Sequence, residues 1–190
     1  MKNPILAVLM LCIGGGALAQ DELPAYPRVT LETTEGTIVL ELDSRRAPLT
    51  VRRFLSLVES GYYDGVIFHR VIANFVAQAG AFDRDFVRRE TDETLVNESG
   101  NGLRNLRGTI AMARLPEPHT ANAQFFINLA DNRSLDPQPD RWGYAVFGYV
   151  VEGMETADRI AEMRTGPGGP FGQDVPVVPV IIEKASRTDL

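Results

Sequence analysis

Apolar and polar residues alternate along "RVTLETTEGTIVLELD" on either side of Glu35-Gly36, with Val29 and Leu31 on one face, then Ile38, Leu40 and Leu42. A period of two with one buried face predicts two strands joined as a hairpin. The period changes in "APLTVRRFLSLVESG", where Val51, Phe54, Leu55 and Val58 recur at i, i+3, i+4 and i+7. That spacing predicts an amphipathic helix of about ten residues. Thr50 is placed to cap its first turn and Gly61 to end its last.

Four more strand-like runs follow, "VIFHRVI", "FVAQAG", "GTIAMAR" and "QFFINLA", and then "YAVFGYVV" and "PVVPVIIEKA". Between the last two, "EGMETADRIAEM" has Met154, Ala157, Ile160 and Ala161 at helical spacing, a second helix. The charged insert from Ala81 to Arg107 reads as a solvated loop. "TGPGGPFGQDVP" lacks the Lys-Ser/Thr ending and the strand-to-helix setting of a phosphate loop, and reads as an irregular connection. About eight strands and two helices predict an all-β barrel whose ends are closed by helices, an arrangement that also removes sheet edges.

The chain has 190 residues, 44% of them apolar, enough for one domain with a real core. Its net charge of −6 comes from 19 Lys and Arg scattered among 25 Asp and Glu, which leaves no basic stripe and argues against nucleic acid as a partner. Lys2, the apolar run Ile5 to Ile13 and Ala17-Leu18-Ala19 form a secretory signal peptide, residues 1–19, with cleavage after Ala19. The apolar run is shorter than the roughly 20 residues of a spanning helix, so no membrane association is expected after cleavage. A connector, 20–28, then leads into a single domain, 29–190. Cys12, the only cysteine, falls in the segment to be removed, so the mature chain rests on its core without disulfides. Leu11 before it is bulkier than a lipidation site takes. His69 and His119 are the only histidines, and no spacing of Cys, His and carboxylates suggests a metal site.

The candidate chemistry lies in "VIFHRVIANFVAQAG". Strict alternation puts Phe68, Arg70 and Ile72 on one face and Ile67, His69 and Val71 on the other. An arginine between two large apolar residues is either the polar rim of the barrel or a hydrogen-bond donor above an apolar floor. Gln78 and Gln124 add strand amides, and Phe75, Met112, Phe126 and Leu135 could line a shallow pocket around Arg70. None of these is a carboxylate pair, a Ser-His-Asp set or a thiol. Such a site has donors and an apolar wall, and nothing that forms a covalent bond.

"FHRVIANFVAQAG", "GTIAMAR", "AQFFINLADN" and "YAVFGYVVEGM" resemble the signature of the cyclophilin-type peptidyl-prolyl cis-trans isomerases, most of all the exported bacterial branch. The resemblance runs from about Val29 to Ala185. It implies a mainly β fold, a closed eight-stranded antiparallel β-barrel capped by two α-helices, with a groove on the outer face. It implies rotation of X-Pro bonds in unfolded or extended polypeptides, in aid of folding, with no cofactor; the oligomeric state is not legible in the sequence, and monomer is the default expectation. Arg70 falls on the catalytic arginine; Phe75, Val76, Phe126, Leu135 and Tyr144 on the apolar proline pocket; Gln78 and Gln124 on its polar supports. Ala113, Arg114 and Leu115 fall on the segment whose backbone binds the peptide. His69 falls on the histidine beside the arginine, where a packed, hydrogen-bonded ring is the expectation rather than a proton carrier.

Several positions depart from the family pattern. Ala73-Asn74 stands in place of Pro-Gly, Val76 of Met, Ala79 of Gly, and Arg114 of Asn, whose new side chain could favour acidic neighbours in a client. Ser134 stands where eukaryotic members carry Trp and bacterial ones often Phe, which predicts weak cyclosporin binding. Trp142 either fills that gap or anchors the core. The bacterial-type motifs and the signal peptide point to the periplasm, with secretion beyond it as the alternative. A peptide-binding holdase that has lost turnover is the competing class. Asn97 to Ser99 fits a glycosylation sequon, without meaning in a bacterial chain.

Overall fold

A computed structural model describes residues 23–89, 91 and 93–188, so the expected signal peptide lies outside the described residues. Its strands are β1 (Arg28–Thr33), β2 (Gly36–Leu42), β3 (Val66–Ile72), β4 (Val76–Asp83), β5 (Thr109–Met112), β6 (Phe125–Asn128), β7 (Val146–Glu152), β8 (Thr165–Gly168), β9 (Phe171–Pro176) and β10 (Ile181–Arg187). Helix α1 spans Pro48–Glu59 and α2 spans Met154–Glu162. Eight of the strands close into a barrel in the order β1-β10-β3-β4-β6-β5-β7-β2, each neighbour antiparallel to the next. The barrel is therefore the mainly β, helix-capped architecture that the alternation predicts.

The hairpin turns between Thr33 and Gly36, where Gly36 takes φ +127°, a conformation L side chains rarely adopt. Val29, Leu31, Ile38, Leu40 and Leu42 all point into the core, as their period of two requires. Helix α1 seats Phe54 among Tyr63, Phe125 and Phe147, with ring centroids 5.1, 5.5 and 5.1 Å away. Those aromatic contacts fasten the helix to β6 and β7, and α2 adds Ala157 and Ile160 to the same core.

Thr50 does not cap α1. The helix starts earlier, with Pro48 in its first turn and Ala47 as a cap residue without a side-chain bond. The cap comes from a distant residue. The Glu98 carboxylate accepts the amides of Leu49 (3.1 Å) and Thr50 (2.8 Å) and the Thr50 hydroxyl (2.7 Å). At the other end Gly61, with φ +70°, donates its amide to Val58 O as the chain leaves the helix, matching its expected role.

The insert between β4 and β5 is only in part a solvated loop. Leu95 joins the core and pairs with Ala121, and Asn97, Ser99 and Asn105 are buried. Their short polar side chains serve backbone groups that would otherwise be buried without partners. Asn97 Nδ2 donates to the carbonyls of Pro118 and Gly143, both at 3.1 Å, so the sequon there is buried. The segment from Thr165 is not irregular either: β8 and β9 form a two-stranded hairpin, and its Phe171 ring packs against His69 and Phe82 of the barrel. Glycines and prolines had masked its strand character.

Strict alternation fails in β3. Phe68 pairs with Ala79 and Arg70 with Gln78, so two residues of β3 advance against one of β4. This is a β-bulge. Val66, Phe68 and Val71 enter the core, with Phe68 and Val71 three apart rather than two. Phe68 therefore parts company with Arg70, and Val71 with His69, because the extra residue lets His69 and Arg70 both stay outside.

Candidate active site

The bulge delivers Arg70 to the outer wall of the barrel, half-buried, beside the outward positions of β4 and β6. Val76 and Phe126 on those strands, with Ala111 of β5 and Val146, form a buried cluster outside the barrel, separate from the core. Phe75, Ala113, Leu135 and Tyr144 pack on it. The result is a groove of about 350 Å³ lined by Arg70, Phe75, Val76, Gln78, Ala113, Arg114, Phe126, Leu135 and Tyr144. Phe126 and Tyr144 meet edge to face at 5.6 Å and form its floor and one wall.

The polar side of the groove is a relay. Arg70 Nη1 donates to Gln78 Oε1 at 3.3 Å, and Gln78 Nε2 donates to Gln124 Oε1 at 3.0 Å. The first bond fixes the guanidinium, whose carbon sits 6.0 Å from the centre of the Phe75 ring. Gln124 does not line the groove; it orients Gln78 from behind. His69 lies further behind, buried against Phe82 and Phe171 at 5.1 and 5.5 Å. It is packed but not fully hydrogen-bonded, since its buried Nδ1 has no partner. Burial lowers its pKa to about 4; the Ile67 backbone and the Gln124 side chain oppose that shift, and the Arg70 charge adds to it. At neutral pH the ring is uncharged.

Arg114 lines the groove, but its guanidinium turns back on the protein. It donates to the carbonyls of Gly143 (3.1 Å), Leu115 (2.9 Å), Pro116 (2.8 Å) and Trp142 (2.6 Å) and lies 4.9 Å over the Tyr144 ring. Leu115 is exposed and outside the groove, its amide bonded to Thr120 Oγ1 at 3.0 Å. The Ala113 amide is spent on Gln124 O. Met112 is not a groove residue: β5 alternation turns it into the barrel core and leaves Ala111 facing outward. Trp142 neither anchors the core nor fills the place beside Ser134. It is 47% exposed, with its ring against His119 at 5.3 Å.

Buried asparagines missed in the sequence hold the groove's far wall. Asn132 Nδ2 donates to Phe75 O (2.8 Å) and to Asn128 Oδ1 (2.7 Å), while Asn128 Nδ2 donates to Asn105 Oδ1 (3.2 Å) and Thr109 Oγ1 (2.9 Å). Asp136 accepts the Asn105 amide at 2.7 Å and so ties in the Arg133–Leu135 turn that carries Leu135. Gly143 completes the frame: a Cβ there would collide with the Pro137 backbone, and its amide donates to Ser99 Oγ at 3.2 Å. "FIN" and "ADN" carried this signal, since an asparagine in an apolar strand must find buried partners.

The family model described as cyclophilin type peptidyl-prolyl cis-trans isomerase/CLD matches residues 28–187. The chain is 50% identical over 190 residues to peptidyl-prolyl cis-trans isomerase A of Dickeya dadantii (strain 3937), covering 97% of each. It is 45% identical over 164 residues to peptidyl-prolyl cis-trans isomerase B of Escherichia coli (strain K12), 85% of this chain and 99% of that one. Among solved structures, a cyclophilin type peptidyl-prolyl cis-trans isomerase of Cryptosporidium parvum superposes with a TM-score of 0.71 at 24% identity, over 87% of this chain and 99% of that one.

Proposed function

The chain belongs to the cyclophilin-type peptidyl-prolyl cis-trans isomerases, and from that premise we propose that it turns X-Pro bonds in the groove under Arg70, in polypeptides outside the cytoplasm. Rotation about such a bond is opposed by amide resonance, with a barrier of roughly 20 kcal/mol. As the bond twists, the proline nitrogen pyramidalises and gains a lone pair. A guanidinium aimed at that lone pair stabilises the twisted state more than the planar one. Arg70 suits this work because its charge is permanent and its fork rigid, and because Gln78 already holds one of its nitrogens. Phe126, Leu135, Phe75 and Val76 take the apolar ring and exclude water, so the donor acts at low dielectric. No bond is made or broken except the hydrogen bond.

The observation that carries this reading is that a half-buried arginine, an apolar pocket and the Gln78–Gln124 relay converge on one outer wall. It is tested by cis/trans exchange on a short X-Pro peptide. Arg70→Ala should lose about a hundredfold or more, equivalent to about 2.7 kcal/mol of transition-state stabilisation, and Phe126→Ala should weaken turnover as well. Both variants matching an active parent would overturn the assignment; an inactive chain that still binds the peptide would favour a holdase.

Lys2, the Ile5 to Ile13 run and Ala17-Leu18-Ala19 support export, with the periplasm as destination and clients that are unfolded or extended chains. Cyclosporin binds weakly, because Ser134 leaves open the place an aromatic ring would close and Trp142 points elsewhere.

A further inference from the structure

A second cavity, about 450 Å³, lies beside the groove, lined among others by Leu103, Arg104, Arg133, Asp136 and Gln138. Leu103 separates the two: it lines this cavity while packing into the apolar cluster that holds Leu135 and Tyr144 of the groove. Asp136, next in sequence to Leu135, lines the same cavity. Arg104 and Arg133 are exposed, and neither forms an ion pair with a carboxylate among the described residues, unlike Arg28, Arg53, Arg107 and Arg187. The one carboxylate lining the cavity, Asp136, is held by the Asn105 amide at 2.7 Å and Asn105 Nδ2 at 3.0 Å, turned to neutral donors rather than to either arginine, so the lining carries two positive charges against one negative. An adjoining depression adds Arg141 and Asp140, which offset each other. On the groove side stands Arg114, which donates to four neutral carbonyls and forms no ion pair with a carboxylate among the described residues. In a chain of net charge −6, this flank of the groove is locally cationic.

We propose that this cavity is a subsite for an acidic side chain, Asp or Glu, lying on one side of the client's proline. The proposal rests on the reading of the groove as the place where the proline is turned. An extended peptide advances about 3.3 Å per residue, and Leu103 and the Leu135–Asp136 step join the two depressions, so residues on one side of the proline run toward the arginines. Arg104 and Arg133 are then specificity residues and take no part in the bond rotation itself.

The test is a set of X-Pro peptides carrying Glu or Lys at each of the three positions before and after the proline, with kcat/KM read by cis/trans exchange. Glu should exceed Lys about fivefold at one or more positions on one side only, the size expected for one or two exposed ion pairs. The preference should fade at high salt and vanish in the Arg104→Gln/Arg133→Gln double variant, whose rate on an uncharged peptide stays that of the parent. A Glu/Lys ratio near one at every position, or one unchanged in the double variant, overturns the subsite. If Arg70→Ala leaves turnover of the uncharged peptide intact, the groove reading fails, and the subsite with it.

Discussion

Arg70 Nη1 and Gln78 Oε1 lie 3.3 Å apart, directly across the β3–β4 ladder from each other, so the guanidinium is aimed by its own cross-strand partner. Gln78→Leu should keep the fold and the charge while loosening that aim. A loss of about tenfold in kcat/KM, worth about 1.4 kcal/mol, is expected, with peptide affinity by titration nearly unchanged. An affinity loss that matches the rate loss would make Gln78 a binding group instead.

His69 gives a pH signature. Its pKa falls from 6.5 to about 4 on folding, so the unfolded chain binds the proton first as the pH drops. Stability contributed by the neutral ring is complete above about pH 6.5, declines by up to about 1.4 kcal/mol per pH unit toward pH 4, and is flat below that. Urea midpoints at pH 7 and 5 should differ for the parent and converge for His69→Leu. Asp64, whose pKa is lowered from 3.8 despite the upward push of burial, by the Lys184 and Ala185 hydrogen bonds and the Lys184 charge, responds only at more acidic pH. Because His69 stays neutral, kcat/KM should be level from pH 5.5 to 8.

Asn132→Ala removes the donor that holds the Phe75 carbonyl and leaves Asn128 Oδ1 unpaired. An orphaned buried polar group costs about 1–3 kcal/mol, and for a domain of this size that lowers Tm on the order of 5 °C. Calorimetry together with the exchange assay should show both a lower Tm and slower turnover, since Phe75 lines the groove.

Glu98→Ala should destabilise the protein by about 1 kcal/mol, the usual worth of a helix cap, without touching turnover. Urea denaturation reads the first and peptide exchange the second.

Ser134→Trp should tighten cyclosporin about tenfold or more, as a buried aromatic anchor does at an interface. Nanomolar binding by the parent itself would contradict the weak binding expected here.

The sequence-level patterns reached the barrel because Val29, Leu31, Ile38, Leu40 and Leu42 follow a strict period with one face buried. The groove residues were legible through resemblance more than through pattern. Strict alternation put Arg70 with Phe68, since a bulge leaves no mark on hydrophobicity. It is equally silent about long-range partners: nothing near Thr50 announces that Glu98 will supply its helix cap. Met112 and Ala111 are neighbours of similar character, and only the register of β5 decides which one meets the outer wall. The β8–β9 hairpin was hidden by residues that disfavour strands, although it is the element that covers His69.

In β3, where the guanidinium points is a matter of counting. Were β3 to keep its sequence and lose the bulge, strict alternation would turn Arg70 to the side of Phe68, into the apolar core that holds Val66 and Phe125, and push Val71 out. The reacting cation is thus set in place by an irregular step of the backbone as much as by its own chemistry.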